Sequence, residues 1–172
     1  MAKKASKKAP SKKPAKKAAK AAAKKPAKKA PAKKAAPKID PLAPIPVTTG
    51  RGAPPVEIGL ALVKMFNQGK FAEIEEAFWD KKLITSIEGL GVSLAWMGLK
   101  SVRAKNEGWM ADNVIHGASA EGPFVGSTGF AVRFRMDVET KSTGQRRIMD
   151  EVGVYSVEDG KIVCEEFMYA TN

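Results

Sequence analysis

The hydrophobic positions change period part-way along the chain, and the change divides helices from strands. Ile58, Leu62, Met65 and Phe66 fall at i, i+4, i+7 and i+8, the stripe of one helix face, and Leu60 and Val63 widen it. Pro55 suits the first turn of that helix, while Gly59 inside the pattern is a poor helix former. Asn67-Gln68-Gly69-Lys70 ends the segment. Phe71, Ile74, Ala77 and Phe78 then mark a second helix, so the two predict an α-hairpin. Leu83 to Ile87 reads as a short strand and Gly89 to Gly98 as a loop of glycine and apolar residues. A third helix is predicted from about Leu99 to Asp112, with Val102, Trp109 and Met110 apolar.

Beyond Asp112 the period is two. Asn113 to Glu121 is a strand ended by Gly122-Pro123. From Gly129 to Thr140, Phe130, Val132, Phe134, Met136 and Val138 alternate with Arg133, Arg135, Asp137 and Glu139. Ser142-Thr143-Gly144-Gln145 is a turn, and Arg147 to Val157 is a third long strand. Asp159-Gly160 is the strongest hairpin signal in the chain, and Lys161 to Ala170 completes it. The expected order is α-α-β-α-β-β-β-β, an α+β fold with the helices on one side of an antiparallel sheet.

Charge then separates the chain into regions. Residues 1–38 hold 16 of the 30 basic residues and no acidic one; the remaining 14 face 18 acidic side chains, so the segment carries +16 and the rest −4, for a net +12. The basic residues are Lys3, Lys4, Lys7, Lys8, Lys12, Lys13, Lys16, Lys17, Lys20, Lys24, Lys25, Lys28, Lys29, Lys33, Lys34 and Lys38, among Ala, five Pro and two Ser. Such a segment buries too little apolar surface to offset its ordering entropy and is expected to be a disordered basic tail. Lysines without arginine forks or interleaved aromatics contact phosphates and read no bases, which predicts nonspecific, salt-sensitive nucleic-acid binding. The repeated KKA, KKP and AKK units resemble the Lys/Ala/Pro tails of linker histones and their bacterial counterparts. Residues 39–54 are a Pro/Gly-rich linker, which leaves 55–172 as the folded domain.

No apolar run of about 18 residues suggests a membrane span, and no apolar stretch behind the lysines suggests a secretory signal. The single Cys164 precludes an internal disulfide. The expected location is cytoplasmic, nucleoid-associated if the source is bacterial. No spacing of His, Cys and carboxylates suggests a metal site, there is no glycine-rich phosphate loop, and no cofactor is expected.

The tract Asp159-Gly160-Lys161-Ile162-Val163-Cys164-Glu165-Glu166-Phe167-Met168-Tyr169 resembles the last strand of the SnoaL-like branch of the nuclear-transport-factor-2-like superfamily. Leu99-Lys100-Ser101-Val102-Arg103-Ala104-Lys105, followed by Trp109, is similar to that family's helix leading into the sheet. The resemblance covers about residues 55–171. It implies a cone, a curved sheet wrapped over helices around a pocket, often dimerising through the sheet. The branch includes polyketide cyclases, isomerases and dehydratases as well as non-catalytic binders. Its cyclases carry an Asp on the last strand; aligned from Asp159-Gly160, that position holds Phe167 here, and the family's His position holds Glu165.

Candidate chemistry depends on the register of the last hairpin. A two-residue turn at Asp159-Gly160 places Val157 opposite Ile162, Val154 opposite Glu165, Val152 opposite Phe167 and Asp150 opposite Tyr169. Directly opposed residues share a face, so Asp150, Val152, Val154, Glu165, Phe167 and Tyr169 would line the pocket, with Trp109 as a further wall. A one-residue bulge would instead send Asp150 and Glu165 to opposite faces. In an apolar pocket a carboxylate has a raised pKa, as a general base near neutrality requires. His116, the single imidazole, is a further acid/base candidate, with a hydrogen-bonded or surface role as the alternative. Two functions compete. One is a dimeric cone that binds a small apolar ligand and is tethered to nucleic acid by its tail. The other is a lyase, isomerase or cyclase using Asp150, Glu165 or His116.

Overall fold

The structure is a computed structural model that describes residues 50–89 and 92–170; the tail and most of the linker lie outside the described residues. Helix α1 (Pro55–Phe66) starts on Pro55 and buries Ile58 and Leu62. Its Gly59 is a packing requirement: a Cβ there would come within 2.7 Å of Pro123 and 3.1 Å of the Phe130 ring. Asn67 closes the helix and ties the corner to the sheet. Its side chain accepts from the Ala120 amide (2.8 Å) and donates to the Ala120 carbonyl (3.1 Å). Helix α2 (Phe71–Phe78) buries Ile74, and after it Asp80 Oδ1 accepts from the amides of Lys82 and Leu83, each at 2.8 Å.

Two short strands follow, β1 (Thr85–Glu88) and β2 (Leu94–Met97). The segment expected to be a loop therefore contains a strand. β2 is an edge whose residues lie largely in solvent, so no alternating burial marks it. Helix α3 (Leu99–Asp112) buries only Val102 fully. Then come β3 (Asn113–Val125), β4 (Gly129–Thr140), β5 (Gln145–Glu158) and β6 (Lys161–Tyr169).

The six strands form one sheet in the order β2-β1-β6-β5-β4-β3. All neighbours are antiparallel except β1 and β6, which run parallel, with Thr85 opposite Cys164. The helices cover one face. The core there is Ile58, Leu62, Ile84, Val102, Val132 and Ile162 with the aromatic side chains Trp79, Phe130, Phe134 and Tyr155. The whole is an α+β cone. Among the described residues no helix is long and apolar enough to cross a membrane.

Candidate active site

The register of the last hairpin decides what faces the helices. Asp159 and Gly160 form the two-residue turn with φ of 47° and 76°, and Val157 pairs with Ile162 as expected. One residue further, β6 bulges: Ser156 pairs with Cys164, leaving Val163 unopposed. From there every pairing differs by one from the expectation. Tyr155 faces Glu165, Gly153 faces Phe167 and Glu151 faces Tyr169. A slip of one residue exchanges the faces of a strand, so β5 turns Glu151, Gly153 and Tyr155 inward.

Asp150, Val152 and Val154 are consequently on the other face, a correction to the pairing expected beyond the two-residue turn. Asp150 accepts from Arg133 Nε and Nη2 at 2.9 and 2.7 Å, a bidentate pair that holds its carboxyl below the usual range. It borders an open groove with Arg147 and Ile148, which shares Trp109, Met149 and Tyr169 with the outer of two cavities between sheet and helices. His116 is also outside. It sits where β3 shifts register, and its Nε2 is 2.8 Å from Glu139 Oε2 in an exposed pair. Cys164 is half-buried, and burial raises its thiol pKa.

Between sheet and helices lie two adjoining cavities. The outer, about 200 Å³, is lined by Glu88, Lys105, Trp109, Met136, Met149 and Tyr169. The inner, about 170 Å³, reaches Leu62, Trp79, Phe134, Tyr155 and Glu165. Phe71, Glu75, Asn106, Glu151 and Phe167 line both. Helix α3 supplies Lys105, Asn106 and Trp109, spaced so that one face presents all three. That face is mixed because it borders a cavity rather than core.

Polar contacts radiate from Lys105. Its Nζ donates to Glu88 Oε1 and, at 2.7 Å, to Ser86 Oγ. It also lies 5.1 Å from the Phe167 ring centre and 5.6 Å from that of Trp96. The other oxygen of Glu88 accepts from the Tyr169 hydroxyl at 2.8 Å. Glu75 accepts from Asn106 Nδ2 at 3.0 Å and lies 3.4 Å from Arg103 Nε.

Two further carboxyl groups are buried, and at Glu165 the Lys105 charge and a hydrogen bond with Ser86 both oppose the effect of burial. Glu165 is 2% exposed, and its Oε1 has no hydrogen-bond partner among the described residues. Lys105 Nζ is 3.7 Å from that oxygen, beyond hydrogen-bond reach. Glu151 is 7% exposed. Burial pushes the pKa of each to about 7; Lys105 works against the rise at both, and the Glu88 carboxylate adds to it. The same desolvation, with the hydrogen bond to Glu88, raises the Tyr169 phenol, and burial also raises Tyr155.

The SnoaL-like domain family model matches residues 56–169, the whole of this cone. The chain belongs to the SnoaL-like family. A protein from Mesorhizobium loti, named as a SnoaL-like polyketide cyclase, is 38% identical to it, with 66% of this chain and 97% of that one covered and a TM-score of 0.59. A protein from Pseudomonas putida named as a polyketide cyclase (16% identity, 70% and 95% covered, TM-score 0.53) shares the fold. So does one from Bacillus subtilis named as an isomerase (15%, 67% and 86%, TM-score 0.50). No curated protein matches.

In this SnoaL-like domain Glu165, Phe167, Tyr169 and Trp109 border the cavities, whereas Asp150, Val152, Val154 and His116 do not. Sequence reasoning did not single out Glu151, Lys105, Glu88 or Glu75. One signal was available. The inner face of α3 holds Lys105 and Asn106 where a core helix would hold apolar residues. Among the described residues no group of three or more His, Cys, Asp or Glu side chains is placed to hold a metal ion.

Proposed function

We propose that the domain is an acid–base enzyme of the isomerase or cyclase type in which Glu165 takes a proton from a carbon next to a substrate carbonyl. The observation that carries this reading is the Glu165 carboxyl itself: it borders the inner cavity, is 2% exposed and has an oxygen without a hydrogen-bond partner among the described residues. A desolvated carboxyl with a pKa of about 7 combines basicity with a usable ionised fraction at neutral pH. The C–H proton passes to Glu165 and the bonding pair moves into the carbonyl, whose oxygen gains the charge. Lys105 is the cation nearest that carboxyl and would stabilise the oxyanion. Where a C=C lies next to that carbon, the dienolate regains the proton from Glu165 at the far carbon, an isomerisation; otherwise the enolate carbon attacks a second carbonyl and the alkoxide formed takes the proton back from Glu165, a cyclisation. The resemblance places the cyclases' Asp at Phe167; Glu165 is the preceding inward position on β6, so the proton acceptor lies one inward step deeper.

The test is α-proton exchange. Full-length protein in D2O with small cyclic and linear 1,3-diketones should accelerate deuterium uptake by roughly 10²-fold or more, and Glu165→Gln should remove the acceleration. Equal exchange by the variant would sink the assignment. Ligand binding without exchange would favour the non-catalytic cone.

A second reading concerns residues 1–38. The +16 charge on 16 lysines, with no acidic residue among them, supports nonspecific binding to nucleic-acid phosphates. Removing 1–38 should abolish salt-sensitive DNA retention; retention by the truncated chain would overturn it. A homodimer through the outer face of the sheet would present two such segments, and sedimentation at several concentrations tests it.

A further inference from the structure

We propose that the cavity selects an organic cation, an apolar body bearing a protonated amine whose ammonium seats on Glu151. The inference rests on the reading of the cavity as a substrate site and names the class of substrate.

The first observation is the imbalance of charge. Glu75, Glu88, Glu151 and Glu165 line the two cavities, and Lys105 is the one cationic side chain among the residues lining them. Glu75 is matched by Arg103 and Asn106, and Glu88 by Lys105 and Tyr169. Glu165 has Lys105 at 3.7 Å. Glu151 has neither a hydrogen bond nor an ion pair among the described residues, although it is 7% exposed and lines both cavities. Burying a carboxylate without a counter-charge is costly. A ligand cation would supply it.

The second observation is the wall. Phe71, Trp109, Phe167 and Tyr169 surround the outer cavity, and ring faces attract cations. The site already shows this attraction, since the Lys105 ammonium stands over both Phe167 and Trp96. Met110, Met136 and Met149 complete the lining, a polarizable surface for an apolar body. Among the described residues no group of three or more carboxylate, His or Cys side chains is placed to hold a metal ion, and the aromatic and methionine lining suits an organic cation.

The experiment is calorimetric titration of the full chain at neutral pH with three probes that share a phenylethyl body: 2-phenylethylammonium, its isostere 2-phenylethanol and the larger anion 3-phenylpropanoate. The amine is expected to bind about tenfold more tightly than either other probe, as one charge-assisted contact provides. Glu151→Gln should erase that preference and leave the alcohol within about twofold, whereas Glu151→Asp, which keeps the charge, should retain most of it. Thermal melts check that both variants fold. Equal or tighter binding of the alcohol or the acid, or a preference that survives Glu151→Gln, overturns the proposal while the substrate-site reading stands. Failure of all three probes to bind at millimolar concentration removes both.

Discussion

The Lys105 ammonium stands 3.7 Å from the buried oxygen of Glu165, too far to donate to it. Glu88 and Ser86 hold the ammonium away. The cation therefore lowers the carboxyl's pKa by field alone and leaves that oxygen without a hydrogen bond among the described residues.

This arrangement fixes the pH profile. Glu165 acts as a base only when ionised, so exchange activity should rise with pH and level off above about 7. Lys105 lowers that pKa against the larger effect of burial. Lys105→Met should move the rising limb to higher pH and reduce the plateau, read from rate profiles between pH 5 and 9. A limb that stays in place would deny Lys105 its electrostatic role.

Folding stability should run the opposite way. Glu151 and Glu165 have folded pKa values of about 7, above the ordinary 4.5, so the folded state holds protons that the unfolded chain has released. Stability is then greatest near pH 4.5 as far as these groups are concerned. It falls as pH rises to about 7 and is flat beyond. Full expression of one such shift corresponds to about 3 kcal/mol. Urea unfolding at pH 5 and 7.5 should show the fall, and Glu165→Gln should remove a large part of it.

Two glycines in helices should respond with opposite signs. A Cβ at Gly59 meets Pro123 at 2.7 Å, whereas one at Gly108 in α3 meets nothing within 4 Å. Ala for Gly gains about 1 kcal/mol of helix propensity, but overpacking costs about 1–3 kcal/mol. Gly59→Ala should destabilise the domain and Gly108→Ala should stabilise it, both readable as shifts in the urea midpoint.

The outer-face residues provide the control. Asp150 is bound by Arg133, and His116 by Glu139, and neither lines either cavity. Asp150→Asn and His116→Ala should leave exchange activity within about twofold, as expected of surface substitutions far from a site. A hundredfold loss in either would move the active site to the other face of the sheet.

Much of this was legible from local rules. Pro55, the stripe through Ile58 and Leu62, the alternation from Phe130 to Val138 and the Asp159-Gly160 turn each act over a few residues. They specify α1, β4 and the last hairpin without help from the rest of the chain. The edge strand β2 was hidden because its exposed residues have no alternating pattern to show. The site was hidden for a different reason. Period two tells that residues 150 and 151 face opposite ways but not which one faces in. One unopposed residue, Val163, settled that by exchanging Asp150 for Glu151. Nor could local pattern bring Glu88, Lys105 and Tyr169 together, since β1, α3 and β6 meet only when the sheet curls over the helices. The sequence by itself determined every element but the edge strand β2, and the segregation of charge, because both are properties of neighbouring residues. The tertiary structure decided which carboxylates lost their water, because desolvation depends on every element that closes over them.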